Sequence, residues 1–169
     1  MKIIFTFICM ALVVLLAGCN TTPVTTSPVG PNPSATQSGH ARGGLQVFSR
    51  LAQHSDDGNQ GSSDPGPLWY QHTAYEIFDL QGQMLKNAQN RPHHYDDAPE
   101  LVRLPPGQYV VKAESADYFW VRVPVEIKKG KTTNVHLDGQ WSPPAGTPAA
   151  DIIKLPDGRP VGWKETGGE

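Results

Sequence analysis

Apolar and polar residues alternate with a period of two through most of the middle of this chain. From Tyr118 to Lys128, Phe119, Val121, Val123, Val125 and Ile127 fall on one face, and Trp120, Arg122, Pro124 and Glu126 on the other. Alternation of this length predicts a strand with one buried side. Pro124 carries no amide hydrogen, which predicts an edge or a bulge at that point. Lys129-Gly130 then predicts a tight hairpin, with Gly130 taking the positive φ, and Lys131 to Leu137 returns with Val135 and Leu137 inward.

The same pattern recurs upstream. Leu104-Pro105-Pro106-Gly107 predicts a type II turn, with Pro106 presetting φ. Gln108 to Glu114 follows it with Tyr109, Val111 and Ala113 on one face, and Val102 and Leu104 point inward on the segment before it. Ala74 to Leu80 and Gln83 to Ala88 read as two strands joined at Asp79-Leu80-Gln81-Gly82. Leu45 to Leu51 alternates at Leu45, Val47 and Leu51 and opens the series. His54 to Pro67 is built from Ser, Asp, Asn and Gly, and predicts a long exposed loop. The resulting expectation is an all-β fold, a single seven-stranded antiparallel β-sandwich over residues 45–141.

Composition bounds what lies on either side. Residues 19–44 are Thr, Ser, Pro, Gly and Asn with little to bury, which predicts a disordered tether. Prolines 23, 28, 31 and 33 would stiffen it toward polyproline II, and about 20 extended residues at about 3.1 Å each would reach roughly 60 Å. Residues 142–169 form a Pro-rich C-terminal extension. Its apolar positions Ile152, Ile153, Leu155, Val161 and Trp163 flank Asp157-Gly158, where a short hairpin can turn. Such a segment could join the domain's own sheet edge or a partner's.

Residues 1–18 have the layout of an export signal. Lys2 is followed by an apolar run from Ile3 to Leu16, and Ala17-Gly18 are small residues before Cys19. The run is short of the roughly 20 residues a membrane-spanning helix needs. Leu16-Ala17-Gly18-Cys19 resembles the lipobox of bacterial lipoproteins. That resemblance implies cleavage between Gly18 and Cys19, acylation of the Cys19 thiol, and attachment to a membrane through the N-terminus. Two or more acyl chains hold a protein stably, at about 0.8 kcal/mol per buried CH₂. Asn20 stands where an inner-membrane retention signal would carry Asp, so the family's sorting rule favours the outer membrane. Cys9 leaves with the signal, and with Cys19 acylated no disulfide can form within the exported chain. Loss of Lys2 takes the formal net charge from −2 to −3. This is not the clustered basic surface that nucleic acid requires.

Leu104-Pro105-Pro106-Gly107-Gln108-Tyr109-Val110-Val111, together with Val125-Glu126-Ile127-Lys128-Lys129-Gly130-Lys131-Thr132-Thr133-Asn134-Val135-His136-Leu137, resembles a carboxypeptidase-regulatory-like domain. That is a prealbumin-like sandwich used as an accessory module in secreted bacterial proteins. The likeness runs from Tyr75 to Leu137 and rests on turn-and-strand punctuation. It implies a fold and no active site of its own. The long loop before Leu68 and the C-terminal extension are outside the family pattern.

Candidate chemistry is sparse. His93 and His94, beside Tyr95-Asp96-Asp97, are of zinc-ligand type, but neighbouring side chains in an extended loop diverge. His72 or His136 would have to complete a site. Asp56 to Gly61 has some of the oxygens of a calcium loop, but Gly58 stands at a ligand position and no closing Glu follows. No Gly-x-Ser-x-Gly motif or free thiol supports a nucleophile. Neither a cofactor nor a catalytic residue is assigned. Aromatic residues carry the remaining signal: Trp69, Tyr70, Trp120 with Arg122, and Trp163 are of the types that form interface hot spots and stacking platforms. The sequence is therefore read as a lipid-anchored envelope protein that does not catalyse a reaction. It would act as a protein-interaction or structural module, or alternatively bind polysaccharide; a metal-dependent enzyme is the third reading.

Overall fold

In a computed structural model of the chain, residues 23–34, 37–55, 68–90 and 98–165 are described. The signal segment with Cys19, the loop over 56–67 and the His93/His94 stretch lie outside the described residues. Thirteen strand segments are present with one 3₁₀ turn, Ala149–Asp151, and no α-helix among the described residues. The strands are β1 (Val24–Thr25), β2 (Val29–Gly30), β3 (Gly43–Phe48), β4 (Leu51–Ser55), β5 (Leu68–His72), β6 (Tyr75–Phe78) and β7 (Met84–Ala88). They continue with β8 (Val102–Leu104), β9 (Gly107–Ala113), β10 (Val121–Ile127), β11 (Thr132–His136), β12 (Ile152–Lys154) and β13 (Pro160–Lys164). Among the described residues, no helix is long and apolar enough to cross a membrane.

The chain is all-β, but its sheets are mixed. The large sheet has eight strands in the order β12-β13-β2-β10-β9-β6-β7, with β1 also beside β10. A small sheet runs β11-β3-β8, and β4-β5 is a separate hairpin. β1 and β2 lie parallel to β10, and β11 lies parallel to β3. These pairings replace the purely antiparallel arrangement expected from the alternation, which specifies faces but not partners. Val111, Val121, Val123, Val125 and Ile127 from the large sheet meet Leu45, Val47, Val102, Leu104 and Val135 from the small one in a single buried cluster. Burying an aliphatic side chain of this kind is worth roughly 1.5–3 kcal/mol.

Three local expectations change. Phe119 is 79% exposed, not inward, because β10 begins only at Val121. The Ser115 amide bonds the Tyr118 carbonyl at 3.0 Å, closing a turn that leaves Phe119 outside the ladder. The Lys128–Lys131 turn, with Gly130 at φ +69°, does not fold β11 back on β10. Both edges of β10 are already taken, by β9 on one side and β1/β2 on the other, so the chain crosses to the small sheet. A side chain at Gly130 would overlap the Ser38 carbonyl, and the Ser38 amide bonds the Gly130 carbonyl at 2.7 Å. Pro124 is on a central strand. The Arg122 carbonyl accepts from Thr26 on the N-terminal side. Backbone groups two residues apart point the same way, so the missing amide of Pro124 faces the break between β1 and β2.

The flanks belong to the fold. Residues 23–34, read as tether from their composition, contribute β1 and β2, and Val29 is fully buried. The tail forms the hairpin β12-β13 and joins the domain's own sheet through Trp163↔Gly30 and Lys164↔Val29. Ile152, Ile153, Leu155 and Val161 are buried by it. Its turn is fixed by Gly158 at φ +91° and by the Asp157 carboxylate, which accepts from the Arg159 guanidinium at 2.6 and 2.9 Å. At Gly162 a Cβ would lie 2.6 Å from Val29 and 2.8 Å from the Asn134 carbonyl, so only glycine lets β13 approach this closely.

Candidate functional site

The parallel register of β11 on β3 sets Phe48 opposite His136. Their rings stack at 4.4 Å with 19° between planes. Beyond β11, the Leu137 amide bonds the Phe48 carbonyl at 2.7 Å, and Gly139 at φ +78° turns the chain. The Asp138 carboxylate accepts from the Gln140 amide at 3.3 Å. The reversal lays Trp141 on the other side of His136, at 4.6 Å and 7°. The result is a three-ring stack, Phe48–His136–Trp141. Trp163 on β13 meets Trp141 edge-on at 6.2 Å.

The opposite wall is the β4-β5 hairpin. His72 pairs with Leu51 in register and meets Phe48 edge-on at 5.6 Å. Its Nδ1 lies 2.7 Å from the Ser49 carbonyl, which can only accept, so Nδ1 carries the proton. Tyr70, two residues earlier and therefore on the same face, is 54% exposed. These residues line an open cleft of about 630 Å³, together with Leu51, Asp138 and Gln140.

A buried amide holds the two walls together. Asn90, at φ +56° and 1% exposed, donates from Nδ2 to the Val47 carbonyl at 3.0 Å and to Ser49 Oγ and the Thr73 carbonyl at 3.2 Å. Its Oδ1 accepts from the Glu100 amide at 2.8 Å, and its carbonyl from Gln71 Nε2 at 3.2 Å. Thus the end of β3 and the link from β5 to β6 are clamped by one side chain. Burial between the rings, with the nearby His72 adding to it, lowers the His136 pKa to about 4. The imidazole in the stack is therefore neutral at neutral pH.

The sequence-derived surface residues divide. Tyr70 lines the cleft and Trp163 backs its Trp141 wall. Trp69 alternates to the other face of β5 and is half-buried. Trp120 and Arg122 lie elsewhere: Lys112 Nζ sits 4.6 Å over the Trp120 ring, and the Arg122 guanidinium 6.0 Å from Phe78. Phe119 packs edge-on to Trp120 and borders a smaller hollow of about 320 Å³ beside Arg50 and Glu114. His72 and His136 do converge in the cleft, but among the described residues no three His, Cys, Asp or Glu side chains cluster as metal ligands would. Phe48, Trp141 and Asn90 were not singled out by sequence reasoning. Phe48 ends β3, Asn90 follows β7 and Trp141 lies in the connection after β11, positions where no periodicity distinguishes a cleft wall from a core residue.

The arrangement brings a three-ring aromatic stack, an exposed phenol, a carboxylate and an amide to one cleft. Comparison with protein-family models, curated proteins and solved structures gave no match.

Proposed function

We propose that this protein is a lipid-anchored module of the bacterial cell envelope, attached through Cys19 and facing from the outer membrane, that binds a partner without catalysing a reaction. The domain is read as a β-sandwich whose two sheets enclose the shared core, with the tail hairpin as an extra edge. The observation that carries the reading is the cleft of about 630 Å³ between Tyr70 and the Phe48–His136–Trp141 stack. Binding pockets for small ligands and chain segments fall in the range of about 300–1,000 Å³ and combine aromatic walls with a few polar groups. The lipobox-like segment and the signal layout support the anchor, and the resemblance of the sequence from Tyr75 to Leu137 to accessory modules supports interaction over catalysis.

Two partner types fit such a module, an envelope protein and a polysaccharide. Co-purification tests the first: full-length protein is cross-linked in cells, extracted in detergent, and its partners compared with those of Tyr70→Ala and of the double variant Trp120→Ala/Arg122→Ala. Loss of a partner with Tyr70→Ala alone assigns the cleft as the docking surface. Identical partner sets from all three proteins would remove this reading. The polysaccharide reading is favoured by one observation, that among the described residues no lysine or arginine lines the cleft.

A further inference from the structure

We propose that the cleft holds a neutral hexopyranose ring, one unit of a glycan chain passing through it. The proposal rests on the reading of the protein as a binding module and names the ligand class for that module's cleft.

A pyranose has two chemical surfaces. Its axial C–H groups form a nearly apolar face, and its equatorial hydroxyls form a polar rim. The cleft is complementary to both. Tyr70 and Trp141 both supply aromatic surface to the cleft, and Tyr70 is 54% exposed and so open to a ligand. Asp138 and Gln140 line the cleft as well. A carboxylate accepts from two adjacent hydroxyls, and an amide both donates and accepts.

Charge narrows the class. Among the described residues, no lysine or arginine lines the cleft. Phosphate, sulfate and uronate groups would meet a carboxylate there with no cation to offset it. The histidine in the stack is neutral, so it does not supply that cation either. Anionic glycans and nucleotides are disfavoured, and an uncharged sugar is left. The walls are also pre-set. Register places His136 against Phe48, the Gly139 turn places Trp141, and Asn90 clamps the base. A rigid platform loses little freedom on binding, which is what a weakly attractive sugar face requires. The cleft is open to solvent, so a ring bound there can remain part of a longer chain.

The test is titration of the full-length lipidated protein in detergent with cellohexaose, chitohexaose and maltohexaose, read by tryptophan fluorescence and by saturation-transfer NMR. At least one of the three is expected to shift the fluorescence saturably and to receive saturation at its ring C–H protons. Tyr70→Ala, and separately Asp138→Asn, should weaken that binding about tenfold, while Trp120→Ala should leave it unchanged. Circular dichroism of each variant identifies any that fail to fold, and Gln140→Ala, at an exposed position, then takes the place of the failed one. No response to any of the three sugars overturns the proposal. So does a response that Tyr70→Ala leaves intact, or displacement of the sugar by choline or by a proline decamer at equal concentration. If the sugars fail while Tyr70→Ala still abolishes capture of an envelope protein, the module reading stands and the sugar assignment falls. If both experiments are blank, both fall.

Discussion

His136 sits between two aromatic planes, and this position determines how the protein responds to acid. Its folded pKa of about 4 lies below the ordinary value of 6.5. The unfolded chain therefore takes up a proton first as pH falls. Stability from this group is fully present above about pH 6.5, declines as pH drops toward 4, and levels off below that. The urea midpoint should be lower at pH 4.5 than at pH 7.5, and His136→Phe, which keeps a ring in the stack, should shrink that difference. His72 and Asp138 share the cleft with it, so the same variant also reports whether they contribute. Tyr75 makes a second residue-level case. Its ring is in the core, 1% exposed, and its hydroxyl has no hydrogen-bond partner among the described residues. Burial, with Glu100 nearby, pushes its phenol well above the usual range. An unsatisfied buried hydroxyl costs about 1–3 kcal/mol, so Tyr75→Phe is expected to hold or raise stability by about 1 kcal/mol. A clear loss in a denaturation experiment would mean that the hydroxyl has a partner. At this scale the sequence was informative where burial follows alternation, as at Val121, Val123, Val125 and Ile127. It was silent on the ring stack, because Phe48 and His136 meet only through a parallel pairing of strands far apart in the chain.

Elements show where composition misleads. β1 and β2 are two residues long and carry no alternation, so the Thr/Pro-rich stretch around them looks like a linker. What makes them strands is the free edge of β10, whose unpaired backbone groups need partners. Pro28 and Pro124 do not prevent this, since the ladder is interrupted between β1 and β2 where they lie. Val29, fully buried beside β13, is the test. Val29→Asp places a carboxylate in an apolar site and should cost about 3 kcal/mol, whereas Thr25→Asp, at an exposed position, should cost less than about 0.5. Equal effects from the two would mean that the N-terminal segment does not dock. The tail's apolar residues were legible as a hairpin, and docking on a sheet edge of its own domain was legible as one option for it. Which edge it would choose was not, because β2 provides that edge and was itself unreadable. Removing residues 142–169 takes Ile153, Leu155 and Val161 out of the core and should lower the melting temperature.

At the scale of the whole molecule, the docking of β1 changes where the protein can work. A tether reaching to residue 44 would hold the domain roughly 60 Å from the membrane. With Val24 already in the sheet, only four residues separate it from Cys19, and the five steps between them, at no more than ~3.6 Å each, span less than about 20 Å. If Cys19 carries the lipid, as proposed, the domain rests at the headgroups and its orientation is restricted. The same strand pair transmits any pull on the anchor into the sheet: β2 lies between β10 and β13, and Trp163 on β13 backs the cleft through Trp141. Neutron reflectometry of the lipidated protein on a supported bilayer should therefore find the protein layer starting within about 20 Å of the headgroups. Val29→Asp, by releasing β1 and β2, should move that layer outward and broaden it. A water gap near 60 Å under the unaltered protein would show that the N-terminal strands open when the anchor is loaded. In that event the cleft would face the envelope from the end of a long arm, as the composition of the segment had suggested.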